Sequence, residues 1–303
     1  MRFEVTILGS GAALPTSLRN PSAQYVFCNE RHILVDCGEG TQSQLRKNGI
    51  SLQKITHILI SHLHGDHFFG LVGLLSSMHL LGRDKGITVY GPEGLEQIIR
   101  LQLELGGAQL GFGITFVALD GKTPQLLFED KRIEIRTFPL RHRVPTNGFR
   151  ISEKPFDRPL DGERFKRDGL SLTLIPRFKR GENVELEDGT VLYAGDYTFA
   201  PKAPRSYAYC SDTVYEEKIV PHVSGVDVLY HEATFLHDMI DRAKVTFHST
   251  ARQAAQIAQL AGAKQLLLGH LSARYDNGNA HAAEAKMIFE NTMVVEDGMV
   301  IKL

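Results

Sequence analysis

The sequence predicts an α/β or α+β layered protein, with sheets buried between helices. Short β-branched runs interleave with helical stretches along the whole chain. Polar or glycine-containing turns join several neighbouring runs closely enough for antiparallel pairing. The composition, 43% hydrophobic and 23% charged over 303 residues, is that of an ordinary globular protein. At roughly 150 residues per domain, the length suits two domains or one large α/β unit.

Residues 3–8 read as a first strand, and Gly9-Ser10-Gly11 as a tight turn. Residues 24–28 and 32–36 read as paired strands joined by the polar Asn29-Glu30-Arg31. A helix over 39–48 stops at Gly49. Residues 55–61 form a buried strand and 68–81 an apolar helix. A strand over 87–90 is followed by a helix that starts at Gly91-Pro92 and runs to about Leu105. The middle is strand-rich and includes 132–138. The last third supplies a strand at 226–230, a helix at 250–261 and a strand at 265–268. Two short strands, 293–295 and 299–301, flank the turn Glu296-Asp297-Gly298.

Several function classes are excluded early. The 34 basic and 35 acidic residues leave a net charge of −1, so any polyanion site must be local. Three cysteines, Cys28, Cys37 and Cys210, suit a reducing compartment rather than a disulfide framework. The richest apolar stretch, 68–82, is short and contains Ser76, Ser77 and His79, so no membrane span is expected. Glu4 and the early glycines argue against a signal peptide. Residues 152–180 break the pattern, with eight basic and five acidic side chains and little periodicity. Such a run is either a solvated insertion or an arm that meets a polyanion.

The strongest chemical signal is Ser61-His62-Leu63-His64-Gly65-Asp66-His67, at the end of a buried strand. In a tight turn, His62 and His64 can point to one side while Asp66 and His67 point to a neighbouring position. One segment could then serve two metals. Imidazoles with carboxylates suit Zn²⁺ and, less exclusively, Mn²⁺ or Fe. His142, Asp212 and His270 each lie just past a strand-like run, where ligands gather at a sheet edge. Taken singly, each reads better as an ordinary loop residue than as a ligand; only their joint recurrence with the first motif makes them ligand candidates. Asp196, in Gly195-Asp196, competes with Asp212. Asp36 reads as orienting a metal-bound histidine, as capping the next helix, or as doing both. Cys37 reads as a small buried residue. His32, His57, His79, His222, His237 and His281 read as structural or surface residues.

His62-Leu63-His64-Gly65-Asp66-His67 matches the HxHxDH signature of metallo-β-lactamase-fold hydrolases. Leu8-Gly9-Ser10-Gly11, Val35-Asp36-Cys37-Gly38-Glu39-Gly40-Thr41-Gln42, His231-Glu232-Ala233-Thr234, His248-Ser249-Thr250 and His270-Leu271-Ser272-Ala273-Arg274-Tyr275 narrow the match. With them the chain resembles the ribonuclease Z family of tRNA 3′-processing endonucleases, from residue 1 to about 274. The resemblance implies a four-layer αββα sandwich, as one domain over 1–303 with a short inserted tRNA-binding arm at 152–180. It implies two Zn²⁺ per subunit, one held by His62, His64 and His142 and the other by Asp66, His67 and His270, with Asp212 bridging. His231 is not among the implied ligands.

The implied activity is cleavage of precursor tRNA after the discriminator nucleotide, leaving a 3′-hydroxyl through two-metal hydroxide attack. Asp66 would also orient the attacking water and take its proton. His248, oriented by Glu232, would serve the leaving 3′-oxygen; a purely structural role for this pair is the alternative. A homodimer in the cytoplasm is implied. Two departures stand out. Ser17 occupies the lysine position of the loop Pro15-Thr16-Ser17-Leu18-Arg19-Asn20, and the arm carries Ile175-Pro176 in place of Gly-Pro. The rival readings are a metal-dependent phosphodiesterase for small diesters and a catalytically inactive RNA-binding protein.

Overall fold

Phe3, Val5 and Ile7 share one face of the first strand, and that face is fully buried. In the computed structural model, which describes residues 2–303, the strands of the larger of two compact units form two seven-stranded sheets. The first sheet runs, in spatial order, Val300–Lys302, Phe3–Gly9, Ala23–Cys28, Arg31–Val35, His57–Leu59, Ile87–Pro92 and Ile114–Leu119. Its first four strands pair antiparallel and the remainder parallel. The second runs Thr292–Val294, Gln265–Gly269, Val228–Glu232, Ser206–Cys210, Thr146–Glu153, Ile133–Leu140 and Gln125–Glu129. Here the first four strands are parallel, and Thr146–Glu153 pairs antiparallel with Ser206–Cys210.

Three apolar layers hold this unit together. Phe3, Val5, Ile7, Val26 and Ile33 of the first sheet meet Ile135, Phe149, Tyr207, Tyr230 and Leu267 of the second in a shared central core. The outer face of the first sheet packs on the helices Thr41–Lys47, Leu71–Leu80 and Leu95–Leu105 through Leu45, Leu74, Leu75, Met78 and Ile99. The outer face of the second packs on Ala251–Ala261 and Asn279–Lys286, chiefly through alanines that let the helix approach closely. The layers are therefore helix, sheet, sheet, helix, the αββα sandwich that the motifs imply.

The structure refines several expected elements. The helix expected over 68–81 is broken into Gly65–Phe68 and Leu71–Leu80. At the break the Gly70 N–H donates to the Cys37 carbonyl (2.9 Å) and not to its own helix, and Gly70 lies so close to Gly38 that a Cβ would fall 2.2 Å from the Gly38 carbonyl oxygen. Gly91-Pro92 ends a strand paired with Ile114–Leu119 instead of starting a helix, which begins at Leu95 after Gly94. The two C-terminal strands do not form a hairpin. Thr292–Val294 joins the second sheet and Val300–Lys302 the first, so the turn between them crosses from sheet to sheet. In that turn Asp297 accepts hydrogen bonds from Ser10 Oγ (2.7 Å), Asn20 N (2.7 Å) and Asn20 Nδ2 (2.9 Å). Arg19 adds bonds to Ser10 Oγ and the Val295 carbonyl, both 2.7 Å.

Glu153–Pro204 forms the second compact unit. The charged run is more ordered than its sequence suggests, with helices Gly162–Arg167 and Ile175–Lys179. A two-stranded ribbon, Val184–Glu185 with Val191–Leu192, follows. The unit extends past residue 180 because its core needs Val184, Ala194 and Tyr197 as well as Phe165 and Phe178. The rings of Phe178 and Tyr197 stack 5.2 Å apart.

Helix Ala251–Ala261 opens on a capping box. Thr250 Oγ1 accepts from Gln253 N (3.3 Å) and Gln253 Oε1 accepts from Thr250 N (3.0 Å). Thr250→Ala is expected to lower unfolding stability by about 1 kcal/mol, seen as a lower urea midpoint at unchanged m-value.

Candidate active site

Five strand ends converge on one cleft. His62 to His67 follow His57–Leu59, His142 follows Ile133–Leu140, Asp212 follows Ser206–Cys210, Glu232 ends Val228–Glu232, and His270 follows Gln265–Gly269. The structure brings all seven expected ligands together in two adjoining groups, His62, His64, His142 and Asp212 in one and Asp66, His67 and His270 in the other. Asp212 joins the groups through opposite oxygens. Its Oδ2 lies 3.5 Å from His62 Nε2 and 3.8 Å from His142 Nε2. Its Oδ1 lies 3.4 Å from His67 Nε2 and 3.2 Å from His270 Nε2. Asp66 Oδ2 stands 3.4 Å from both His67 Nε2 and His270 Nε2. His64 presents Nδ1 instead, 3.1 Å from His62 Nε2 and 3.3 Å from His142 Nε2.

Each histidine that presents Nε2 has its other nitrogen tied elsewhere, which fixes the ring. His67 Nδ1 donates to Asp36 Oδ2 (2.8 Å) and His142 Nδ1 to the Phe247 carbonyl (2.7 Å). His62 Nδ1 lies 3.0 Å from Ser61 Oγ, and His270 Nδ1 lies 2.9 Å from Thr234 Oγ1. Asp36 also accepts from Ser61 N (2.7 Å), Ser61 Oγ (2.9 Å) and Tyr209 Oη (2.7 Å). Of its two expected roles it takes the orienting one, because Gly40 is the N-cap of Thr41–Lys47.

Ser61, Tyr209, Thr234 and Phe247 are participants that sequence reasoning did not assign. Ser61 and Thr234 lie within the quoted motifs. Phe247 acts through its backbone and leaves no side-chain signal. Four residues without the freedom of glycine, Ala13, Asp36, Phe247 and His270, adopt left-handed backbone near the site, with φ of 55–61°.

The donor chemistry fits divalent cations. His67 Nε2 and Asp212 Oδ1 are buried without a hydrogen-bond partner among the described residues, and both face the gap between the groups. Burial lowers the basicity of His62, His64 and His142, the last to about 4, favouring the neutral form that a ligand needs. Burial also opposes charge on His67, yet Asp212, Asp66 and Asp36 hold its proton well above the usual histidine range. A proton there offsets negative charge that bound cations would neutralise.

Glu232 is fully buried. Its Oε1 accepts from His248 Nδ1 (2.9 Å) and Thr213 N (3.0 Å), and its Oε2 from Thr234 Oγ1 (2.7 Å) and Thr234 N (3.0 Å). Burial disfavours charge on His248, but Glu232 outweighs it and raises the pKa to about 9. His231 ties Nδ1 to the Glu232 carbonyl and lies outside both groups. Asp196 lies in the second unit, 3.5 Å from Arg164, and joins neither group. His32, His57, His79, His222, His237 and His281 also stand outside. The cleft over these groups measures about 770 Å³, and Leu14, Phe69, Arg143, Phe235 and Arg274 line it.

The model of the Beta-lactamase superfamily domain matches residues 31–271. The chain is 41% identical to ribonuclease Z of Phocaeicola vulgatus, an alignment covering 100% of this chain and 98% of that protein. It belongs to the ribonuclease Z family. A second family member, ribonuclease Z of Cytophaga hutchinsonii, is 43% identical over 98% of this chain and 95% of its own length. Among solved structures, the short form of human tRNase Z aligns with a TM-score of 0.72 at 32% identity, covering 98% of each chain. The fold of YhfI from Bacillus subtilis is also similar, with a TM-score of 0.71 at 21% identity over the full length of both chains.

Asp36→Asn removes the anion that fixes His67. Metal affinity is expected to fall about 10- to 100-fold, measured by zinc competition against a chromogenic chelator. Unchanged affinity would show that His67 is oriented without it.

Proposed function

We propose that this chain is a metal-dependent tRNA 3′-processing endonuclease that cuts precursor tRNA after the discriminator nucleotide and leaves a 3′-hydroxyl. The observation that carries this reading is the adjoining pair of histidine–aspartate groups, joined through Asp212, in a chain that is some 40% identical over its full length to ribonucleases Z. His62, His64 and His142 would hold one ion, Asp66, His67 and His270 the other, with Asp212 between them. The donor set favours zinc. When bound, the ions supply Lewis acidity toward a phosphate oxygen and an attacking water.

The chain's own groups handle the protons. The Asp66 carboxylate, which accepts the Ala13 N–H at 2.8 Å, orients the water and takes a proton from it as its oxygen bonds to phosphorus. The bond from phosphorus to the ribose 3′-oxygen breaks. His248, with Nδ1 held by Glu232, gives that oxygen a proton from Nε2. The products are a 3′-hydroxyl on the tRNA and a 5′-phosphate on the trailer.

Arg164, Lys166, Arg167, Arg177, Lys179 and Arg180 of the second unit grip tRNA phosphates without reading sequence. A homodimer would let one subunit's arm hold tRNA for its partner's site, and the cytoplasm is the expected compartment. Among the described residues no helix is long and apolar enough to cross a membrane.

Incubation with a 3′-extended tRNA, followed by mapping of both product ends, tests the reading; scission elsewhere, or none, overturns it. His248→Ala is expected to lower kcat by about 10²- to 10⁴-fold at unchanged metal content. Reversing the charge of Arg167, Arg177 and Arg180 together is expected to raise KM for tRNA while hydrolysis of a small phosphodiester persists. Equal losses on both substrates would assign those arginines a structural role.

A further inference from the structure

Phe68 and Phe69 are neighbours with opposite fates. Phe68 is 5% exposed and packs into the core between the first sheet and its helices. Phe69 is 66% exposed and lines the metal cleft. Phe69 stands just past Gly65–Phe68 and before Leu71–Leu80 with its N–H still bonded to the Gly65 carbonyl (2.9 Å), so the roughly 100° step between successive helical residues points its ring away from the core. The ring is held on two sides. It meets Phe68 edge-on at 5.1 Å and 66°. It also lies against Gly65, where a Cβ would come within 2.2–2.6 Å of its Cε2, Cζ and Cδ2 atoms. Any larger residue at position 65 would displace the ring.

A phenyl group left in water beside two cation-holding groups forfeits the burial that its neighbour gains. The rest of the cleft indicates what covers it. Arg143 and Arg274 line the same walls and supply charge for phosphates. Arg274 is already set in place, with its guanidinium 5.2 Å from the centre of the Phe235 ring and Nε bonded to Ser272 Oγ at 3.0 Å. Cations for the backbone, a phosphate-cutting centre and an open aromatic ring are the parts of a single-strand RNA groove.

We propose that Phe69 is the platform on which a nucleobase flanking the scissile phosphate stacks. The inference rests on the endonuclease reading given above. Stacking tolerates any base, so Phe69 contributes affinity and register rather than sequence choice.

The test is a cycle of two changes. Phe69→Leu and Phe69→Trp are compared with the unaltered protein on a 3′-extended tRNA, either intact or carrying an abasic residue immediately 5′ or 3′ of the scission point. Phe69→Leu is expected to lower kcat/KM on the intact substrate about tenfold, and Phe69→Trp to keep it within about threefold. Metal content and Tm are expected to stay unchanged in both. At one flanking position the abasic change is expected to cost the unaltered protein about tenfold and Phe69→Leu almost nothing further. Losses that multiply independently at both positions, or no loss in Phe69→Leu, would overturn the proposal while leaving the endonuclease reading intact. Failure of the unaltered protein to cut the intact tRNA would overturn both.

Discussion

A fully buried carboxylate surrounded by imidazoles is the constraint that organises this molecule. Asp212 shows one oxygen to His62 and His142 and the other to His67 and His270. An anion so far from water is tolerable only beside positive charge. The proton on His67 supplies some of that charge, and bound divalent ions would supply more, at fixed positions. The surrounding hydrogen bonds serve the same end. They tie Nδ1 of His62, His67, His142 and His270 to four separate groups, so their Nε2 atoms have little choice of direction.

The double-sheet architecture makes that arrangement possible. Each sheet has a parallel portion whose carboxyl ends face the cleft, and each of the two ligand groups described above draws residues from both sheets. Asp36 and Ser61 follow strands of the first sheet, Tyr209 and Ser211 belong to or follow a strand of the second, and these four meet in one buried polar knot. Tyr209 Oη donates to Asp36, and Ser61 Oγ lies 3.0 Å from Ser211 Oγ. The relative placement of the sheets therefore decides the relative placement of the ligands. A shift of the apolar layer between them would be felt directly as a shift of His67 against Asp212.

Much of this was legible in the order of residues. The dense run from His62 to His67 can hardly be an ordinary turn, and His142, Asp212 and His270 share its context of a strand end. The resemblance of the remaining motifs to one family joined them. What stayed hidden was of two kinds. Backbone partners, such as the Phe247 carbonyl that fixes His142, have no side-chain signature. Long-range pairings depend on topology, which local pattern does not carry: 293–295 and 299–301 look like a hairpin but enter different sheets. Likewise the ribbon and Tyr197 that complete the second core lie outside the charged run that drew attention to it. Periodicity missed the helix break at Phe69 and Gly70 because there the Gly70 N–H pairs with the Cys37 carbonyl, far away in sequence.

The crossing turn at Glu296-Asp297-Gly298 has a temporal consequence. Asp297 fastens Ser10 and Asn20, at either end of the loop whose Ala13 N–H reaches Asp66. In synthesis that loop precedes its fastening point by nearly three hundred residues. Domains generally begin to fold from the amino end as they emerge. Here the first sheet can gather most of its strands before residue 297 is made, whereas the loop at one wall of the cleft has its own Gly11 N–H to Asn20 carbonyl bond (3.0 Å) and its contact with Leu271, and gains its ties to Asp297 only when that residue arrives.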